Sequence, residues 1–599
     1  MSNWRLDTVI LKFGSSVLRT QDSLPLAVAE IYRHYRRGAR VIAVVSAFEG
    51  VTDGLLREAK APEEAPDPET LAALLSTGEI SSAAHLVLAL HRAGIPARMT
   101  DPRDIELTAA GERSNAQLSQ LNTKCLDALL EQTPVLVVPG FFARAAEGGL
   151  ALLGRGGSDL TALYLAAQLR ATCILLKDVE GLYESDPATA TQAPRRFAHA
   201  DYTTALRCAG PLVQPKAIAF ARDQALTLDI ARVGRSGRTR IGEGPSIIAP
   251  SAGHRRIRVA LLGLGTVGGG VLDYLEHFRD RFEVVAALVR TPAKHAARGV
   301  PPLLLVRTPE EAFERGPEII IEALPGIEPA RTCLELALSA DLRVVTANKA
   351  LIAAHWSSLT VRLAGPHRQI RYAAAVGGAV PMLEMLERLS MHDPIVALRG
   401  TINGTCSYVL DRCAKGESFD QAVHQAQAQG LAEADPTADL SGLDAARKIE
   451  ILGRVAFGGE PARDLVSGIT EASCRPSDGD PNSSMALIAE AQRSPTGFVF
   501  KVAPQALARG EFLADARGAE NRLEIITRGG ARLRLKGLGA GRIATATAMI
   551  ADLLEHASVI DANQNDADCE RSVLTLARHV TIQRRIETQG WLVPPGKNL

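Results

Sequence analysis

Asp444 and Lys448 stand four residues apart, so on a helix they share one face and form an i,i+4 ion pair. They close the run Gly430-Leu-Ala-Glu433-Ala-Asp435-Pro-Thr-Ala-Asp439-Leu-Ser-Gly-Leu-Asp444-Ala-Ala-Arg-Lys448. Four carboxylates and a lysine gather there within sixteen residues. An ammonium group can donate a proton to an alkoxide as it forms, and an anionic pocket favours a cationic substrate group. A plainer reading serves the same residues: Ser441 as N-cap, Asp444 in the first turn, and an ordinary salt bridge. The residues alone leave both readings open.

A second chemical signal is Gly263-Leu-Gly265-Thr266-Val267-Gly268. It follows an apolar strand, Ile257–Leu262, and opens a helix expected over Val267–Phe278. The first glycine makes the tight turn, the second admits pyrophosphate to the backbone, and the third packs helix on strand. The helix N-terminus adds N–H groups and positive dipole. At the end of the next strand stand Arg290 and Lys294 where an acidic ribose ligand would indicate NAD. Two cations suit a 2′-phosphate, so NADP is favoured and NAD remains possible. Both cations could equally be solvated surface charges.

Near the amino terminus, Lys12-Phe-Gly14-Ser15-Ser16 ends the first strand, and Gly154-Arg155-Gly-Gly-Ser-Asp159 opens a helix. Both are places where backbone N–H groups and a lysine meet phosphate oxygens, and Asp159 is available to magnesium. Lys177-Asp178-Val-Glu-Gly181-Leu-Tyr183 follows another buried strand. Each of these alone is also ordinary turn chemistry.

The elements that position these residues are read from short apolar runs alternating with amphipathic stretches. Expected strands are Val9–Phe13, Arg40–Ala47, Val135–Phe141, Cys173–Val179 and Leu226–Ile230, with helices over Pro25–Arg37 and Asp159–Leu169. Continuous apolar strands between helices predict a mostly parallel sheet covered on both faces. The Pro- and Glu-rich stretch Arg57–Glu69 reads as an exposed excursion. Small and basic residues from Ala249 to Arg256 mark a join, after which a βαβ rhythm restarts over Ile257–Leu262, Glu283–Val289, Glu318–Ala323 and Arg343–Thr346. From about Leu351 longer helices alternate with strands such as Ile370–Ala375 and Leu523–Thr527.

At 599 residues the chain exceeds a single core, and a length prior gives roughly four domains. Lys and Arg total 67 and Asp and Glu total 67, which excludes a nucleic-acid binder relying on an overall basic surface. A hydrophobic share of 46% with 22% charged residues excludes global disorder. The eight cysteines never form CxxC, so zinc-ribbon and thioredoxin motifs are absent and a reduced compartment suits them. No apolar run reaches the roughly 18–20 residues of a spanning segment, and Lys12 interrupts the amino-terminal one. A soluble cytoplasmic enzyme of small molecules, without nucleic-acid or membrane partners, is the expectation.

The glycine turn, Val344-Val-Thr346-Ala-Asn348-Lys349-Ala-Leu-Ile-Ala, Gly400-Thr-Ile-Asn-Gly404-Thr-Cys-Ser-Tyr408 and the Glu433–Lys448 block together resemble homoserine dehydrogenase. Gly537-Leu-Gly-Ala-Gly541 and Ala544–Asp552 match that family's returning C-terminal element, so the resemblance spans about residues 256–556. It implies hydride reduction of aspartate 4-semialdehyde to homoserine. Lys448 takes the acid/base role by resemblance, with Lys349 near the reacting oxygen and Asp444 orienting Lys448. Glu433 and Asp439 would hold the substrate's ammonium group. Thr346, Asn348 and Lys349 join Gly263, Gly265, Thr266, Val267 and Gly268 at the cofactor, with Arg290 and Lys294 at its 2′-phosphate. One departure is Ala373, where relatives usually carry an acidic residue beside a monovalent-cation site. Its loss should weaken any such site, and the metal is left unassigned.

The amino-terminal motifs, over about residues 8–248, resemble the amino-acid kinase family. Ser46-Ala, Val51-Thr52-Asp53 and Gly78-Glu79 point within it to aspartokinase. The resemblance implies ATP and Mg2+ as partners, with Lys12 and Asp159 at the phosphates and metal. Gly14, Ser15, Ser16, Lys177, Asp178 and Lys216 would contact the nucleotide, and Glu79, Arg155 and Thr52 the aspartate. The departures are several. KFGSS is one residue shorter than the usual KFGGTS and closer to the glutamate 5-kinase form, Lys177 replaces a usual threonine, and Pro211 stands at a lysine position for which Lys216 is the substitute. A non-catalytic kinase-like scaffold or ligand sensor is therefore the alternative.

The expected architecture is α/β. A kinase-like parallel-sheet sandwich occupies 1–250, a Rossmann domain 256–350 and an α+β catalytic and dimerisation domain 351–556, with 537–556 returning to the nucleotide domain and a tail over 557–599. A homodimer or larger homo-oligomer is expected. No room remains between the modules for the paired regulatory ACT domains of full-length relatives, so threonine feedback through them is expected to be absent.

Overall fold

Strands rich in Val, Ile and Leu, buried on both faces, need helices on either side, and the computed structural model has that arrangement twice. It describes residues 7–59, 66–190, 193–210, 212–249, 255–365, 367–432, 435–474 and 482–566. Glu433, Pro211 and the tail from 567 onward lie outside the described residues. The chain divides into two compact units, Met1–Arg92 with Pro96–His254, and Ala93–Ile95 with Arg255–Leu599.

The first unit is built on a nine-stranded sheet. Its centre runs Leu228–Arg232, Thr172–Lys177, Thr8–Phe13, Arg40–Val45, Val135–Pro139 and Ala97–Met99, all parallel. Ile10, Leu11, Ile42, Val44, Leu136 and Leu175 are fully buried there. The strands end two residues before the expected limits, so Ser46 and Ala47, and Asp178 and Val179, belong to the loops at the C-terminal edge. The expected excursion over Arg57–Glu69 is narrower. The helices Val51–Ala59 and Pro68–Arg92 enter it from both sides, because Pro68 is at home in a first helical turn.

The second unit holds two sheets of six strands. The first is all parallel, in the order Leu305–Val306, Phe282–Leu288, Ile257–Leu262, Ile319–Glu322, Arg343–Thr346, Ile370–Arg371. By sequence rank that is 3-2-1-4-5-6, the doubly wound order whose crevice lies where the first and fourth strands diverge. The last strand is shorter than expected: Ala373–Val376 turns into helix instead, since alanine is the strongest helix former. The second sheet runs Glu460–Val466, Gly497–Ala508, Ser483–Ser494, Ile395–Thr401, Glu520–Thr527, Arg532–Leu538. Its first pair is parallel and the rest antiparallel.

Helix Arg542–Asp566 returns from this second sheet and packs on helix Thr266–His277 and strand Arg343–Thr346. Tyr274 bonds Thr547 at 2.7 Å across that contact. Among the described residues, two helices, Pro68–Arg92 and Arg542–Ala562, have the length and mean hydropathy of a membrane span, although Glu79 interrupts the first and Asp552 the second. Ala546, Met549, Ile550, Leu553 and Leu554 of the second are buried.

Candidate functional site

The glycine turn sits at the switch point of the parallel sheet. Gly263 has φ of +99°, and a Cβ there would lie 2.8 Å from the Ala323 carbonyl oxygen. A Cβ on Gly268 would overlap the Gly263 carbonyl, whereas one on Gly265 would meet nothing within 4 Å. Two glycines are thus demanded by packing and the middle one faces open space, the pattern that lets a diphosphate approach the backbone. Helix Thr266–His277 starts one residue earlier than expected, with Gly265 as N-cap. Arg542 donates to the Thr266 carbonyl at 3.2 Å and pairs with Asp273 at 2.6 Å, which places a further guanidinium at this helix start. Arg290 and Lys294 are exposed beyond the end of strand Phe282–Leu288.

Thr346 and Asn348 are occupied within the fold. The fully buried Thr346 hydroxyl donates to the Glu322 carboxylate. Asn348 caps helix Lys349–Ala354 through Leu351 N at 3.0 Å and donates to the Gly326 carbonyl at 2.6 Å. Their side chains therefore hold the loop that follows strand Arg343–Thr346. Glu322 was not foreseen. It accepts from Leu324 N at 2.7 Å, and burial pushes its carboxyl up to about 7. The available signal was one acid ending the apolar strand Ile319–Glu322.

Helix Leu443–Phe457 carries the ammonium–carboxylate pair on its buried face. Gly442, at φ +81°, is its N-cap and no side chain caps it, so the capping role considered for Ser441 is not taken up. Lys448 Nζ lies 2.9 Å from Asp444 Oδ2 and donates to the Ile402 carbonyl at 2.9 Å. Lys349 Nζ lies 2.7 Å from Asp444 Oδ1. Lys448 and Asp444 are buried, while the Lys349 side chain is 38% exposed. Burial alone would raise the Asp444 carboxyl, but Lys448 and Lys349 outweigh it and hold the group well below the usual carboxylate range.

Asn403, quoted in a motif but given no role, proves central. Its Nδ2 donates to Asp439 at 2.7 Å and to Asp444 at 2.9 Å, and its Oδ1 caps the next helix at Cys406 N, 2.8 Å away. Asp439 also accepts from Thr405 at 3.2 Å. Burial, then the Asp444 charge, push the Asp439 carboxyl up. Ala373 donates its N–H to Asp552 at 3.2 Å.

In the first unit, Lys12 and Lys177 flank one buried carboxylate. Lys12 Nζ is 2.8 Å from Asp159 Oδ1 and Lys177 Nζ 3.1 Å from Asp159 Oδ2. Glycine at 14 makes this possible, since a Cβ there would sit 2.9 Å from Lys12 Nζ. Against burial, the two lysines lower the Asp159 carboxyl. Burial, reinforced by Lys12, brings Lys177 down to about 8. Helix Gly157–Leu169 starts here with Gly156 as N-cap in the left-handed region. Lys216 does not reach Asp159; its Nζ donates to the Leu153 carbonyl and to Asn115 Oδ1 at 3.3 Å, so it serves the glycine loop from the other side. Arg155, Ser15 and Asp178 are exposed, and Ser16 and Thr52 half-buried, around the same edge.

Glu79 is buried, accepts from Ala47 N, and keeps Oε2 without a hydrogen-bond partner among the described residues. Burial pushes its carboxyl up to about 8. The folded unit thus holds a proton that the unfolded chain releases above about pH 4.3. Glu79→Gln is expected to leave thermal stability unchanged below pH 4. It should stabilise the chain increasingly from pH 4.5 to 8 and by a constant amount above that. Thermal melts across this range check the trend, and a constant difference at all pH values would show that Glu79 ionises normally.

A doubly wound sheet with a glycine turn at its switch point, in one unit with a buried ammonium–carboxylate pair, fits the class of nicotinamide dinucleotide oxidoreductases. Residues 381–554 match homoserine dehydrogenase, residues 263–372 match the homoserine dehydrogenase NAD binding domain, and residues 7–230 match the amino acid kinase family. A homoserine dehydrogenase of Synechocystis sp. is 32% identical over 339 residues, covering 52% of this chain and 75% of that protein. The chain belongs to the homoserine dehydrogenase family and carries an amino acid kinase domain ahead of it. Among solved structures, a homoserine dehydrogenase from Thiobacillus denitrificans is similar at 31% identity and a TM-score of 0.47, covering 54% of this chain and 77% of that one. Aspartate kinase from Synechocystis is similar at 28% identity and a TM-score of 0.35, covering 40% of each chain.

Proposed function

We propose that the second unit reduces aspartate 4-semialdehyde to homoserine with NADPH, and that the first phosphorylates aspartate from ATP. The observation that carries the first half is the buried Lys448, fixed by Asp444 and the Ile402 carbonyl with one N–H left to donate. A bound nicotinamide supplies the hydride. Lys448 protonates the oxygen that becomes the homoserine hydroxyl, and in reverse accepts that proton. Asp444, ionised far below neutral pH, keeps Lys448 and Lys349 directed at one point throughout. Asp439, steadied by Asn403, and Glu433 by resemblance, receive the substrate ammonium. Arg290 and Lys294 support a preference for NADPH over NADH, checked by the ratio of kcat/KM for the two. The exposed Leu465 on edge strand Glu460–Val466 supports assembly through this part into a homo-oligomer.

For the kinase half, Lys12 and Lys177 at a helix start supply the charge neutralisation that phosphoryl transfer needs, and the unpartnered Glu79 oxygen suits an amino group. Asp159 would reach a magnesium ion only by releasing a lysine, so no step is routed through it. That occupied carboxylate also favours a second reading, a kinase-like scaffold or ligand sensor. A hydroxamate assay with aspartate, ATP and magnesium decides: product above an Asp159→Ala control supports the kinase, and none leaves the scaffold.

A further inference from the structure

Asn521 is fully buried on strand Glu520–Thr527, where its neighbour Arg522 pairs in register with Thr401. Its Nδ2 donates to the Ile402 carbonyl at 3.2 Å, the same oxygen that receives Lys448 at 2.9 Å. Its Oδ1 is buried with no hydrogen-bond partner among the described residues. A buried carboxamide with an orphan oxygen is a net cost to folding, and an apolar side chain of the same shape would remove it. Packing alone would thus favour leucine at this position. What the amide contributes is the single bond to the carbonyl that aims the catalytic lysine.

The amide is also pinned from the other side. Asn521 pairs with Gly537, and a Cβ built on Gly539 would overlap the Asn521 carboxamide. Three residues further on, Arg542 donates to the Thr266 carbonyl of the glycine turn. One short segment, 539–542, therefore touches both the dinucleotide turn and the residue behind Lys448.

We infer that Asn521 is a positioning residue that sets the direction of Lys448 through the shared Ile402 carbonyl, and links it to the dinucleotide turn. The inference rests on the dehydrogenase reading only for its kinetic arm. Losing the competing N–H makes the carbonyl a better acceptor for the ammonium, so Lys448 should be held more tightly to it and react more slowly. The other groups facing Lys448 are Asp444 on its own helix, Lys349, Asp439 and the Cys406 thiol, and none of them is altered by the changes below.

The test uses the full chain with Asn521→Leu and, independently, Gly539→Ala, which displaces the amide without touching residue 521. Three results are expected. The melting temperature of Asn521→Leu is unchanged or higher. The kcat for aldehyde reduction falls more than tenfold with the KM for aldehyde within about twofold. The rate at which acetic anhydride labels Lys448 at fixed pH, read by peptide mass spectrometry, changes in both variants. A wild-type kcat and an unchanged acetylation rate in both would overturn the inference, as would a loss of activity that tracks a loss of stability. An inactive wild type whose acetylation rate still changes in the variants would sink the dehydrogenase reading and leave this one standing.

Discussion

Lys448→Ala is expected to lower turnover of aspartate 4-semialdehyde reduction roughly 10²- to 10⁴-fold, the range of a lost general acid. On the proposed role the loss falls on kcat, because Lys448 is held by Asp444 and the Ile402 carbonyl and not by the dinucleotide turn. Fluorescence titration should therefore show NADPH binding unchanged within about threefold. The unit should stay folded: Asp444 keeps Lys349 at 2.7 Å and Asn403 at 2.9 Å, so no carboxylate is left buried without a partner. Lys448→Arg should not restore the rate, since a planar guanidinium is a poor proton donor and cannot fill the compact ammonium's place between Asp444 and Ile402. Lys349→Ala should cost less, because the Lys349 side chain is partly exposed where that of Lys448 is buried. A Lys448→Ala enzyme turning over within threefold of wild type would assign proton transfer elsewhere.

Asp159→Ala should damage the first unit more than any other single change. It removes the one carboxylate between two buried ammonium groups, and breaking such a buried pair costs about 3–5 kcal/mol. The sign of its pH dependence follows from Lys177. That lysine's folded value is depressed to about 8 against an unfolded value near 10.4, so the strain of burying its charge is fully present below pH 8. It is relieved as pH rises through 8 towards 10.4. Without Asp159 the strain grows, so the variant should be most destabilised near pH 7 and recover part of the loss by pH 10. Calorimetry at the two pH values checks this, and an equal loss at both would mean that Lys177 is not charged in the native unit. Hydroxamate formation should vanish with the same change if the first unit is a kinase.

Much of this was legible in the sequence for a physical reason. The strands Ile257–Leu262 and Arg343–Thr346 stand where their apolar runs put them, and the i,i+4 spacing of Asp444 and Lys448 became a real contact on a helix. The convergence of Lys12, Asp159 and Lys177 on one point was not legible from spacing. It depends on strands distant in sequence lying side by side in a parallel sheet, which only the fold decides. Glu322, Asn403 and Asn521 were missed for a related cause: each acts by holding a neighbour's backbone or side chain, and such roles leave no residue pattern. The helix-capping role of Asn348 was not legible either, because a polar residue after a strand looks the same whether it meets a ligand or caps the next helix.

The central claim is hydride delivery to an aldehyde whose oxygen Lys448 protonates. The most direct measurement incubates the purified full chain with aspartate 4-semialdehyde and NADPH deuterated at the transferable position, and analyses the product by mass spectrometry. The expected result is homoserine carrying one deuterium at the former aldehyde carbon, formed in step with cofactor oxidation by the wild type and not by Lys448→Ala. Cofactor left unoxidised, or homoserine formed without the label, would contradict it.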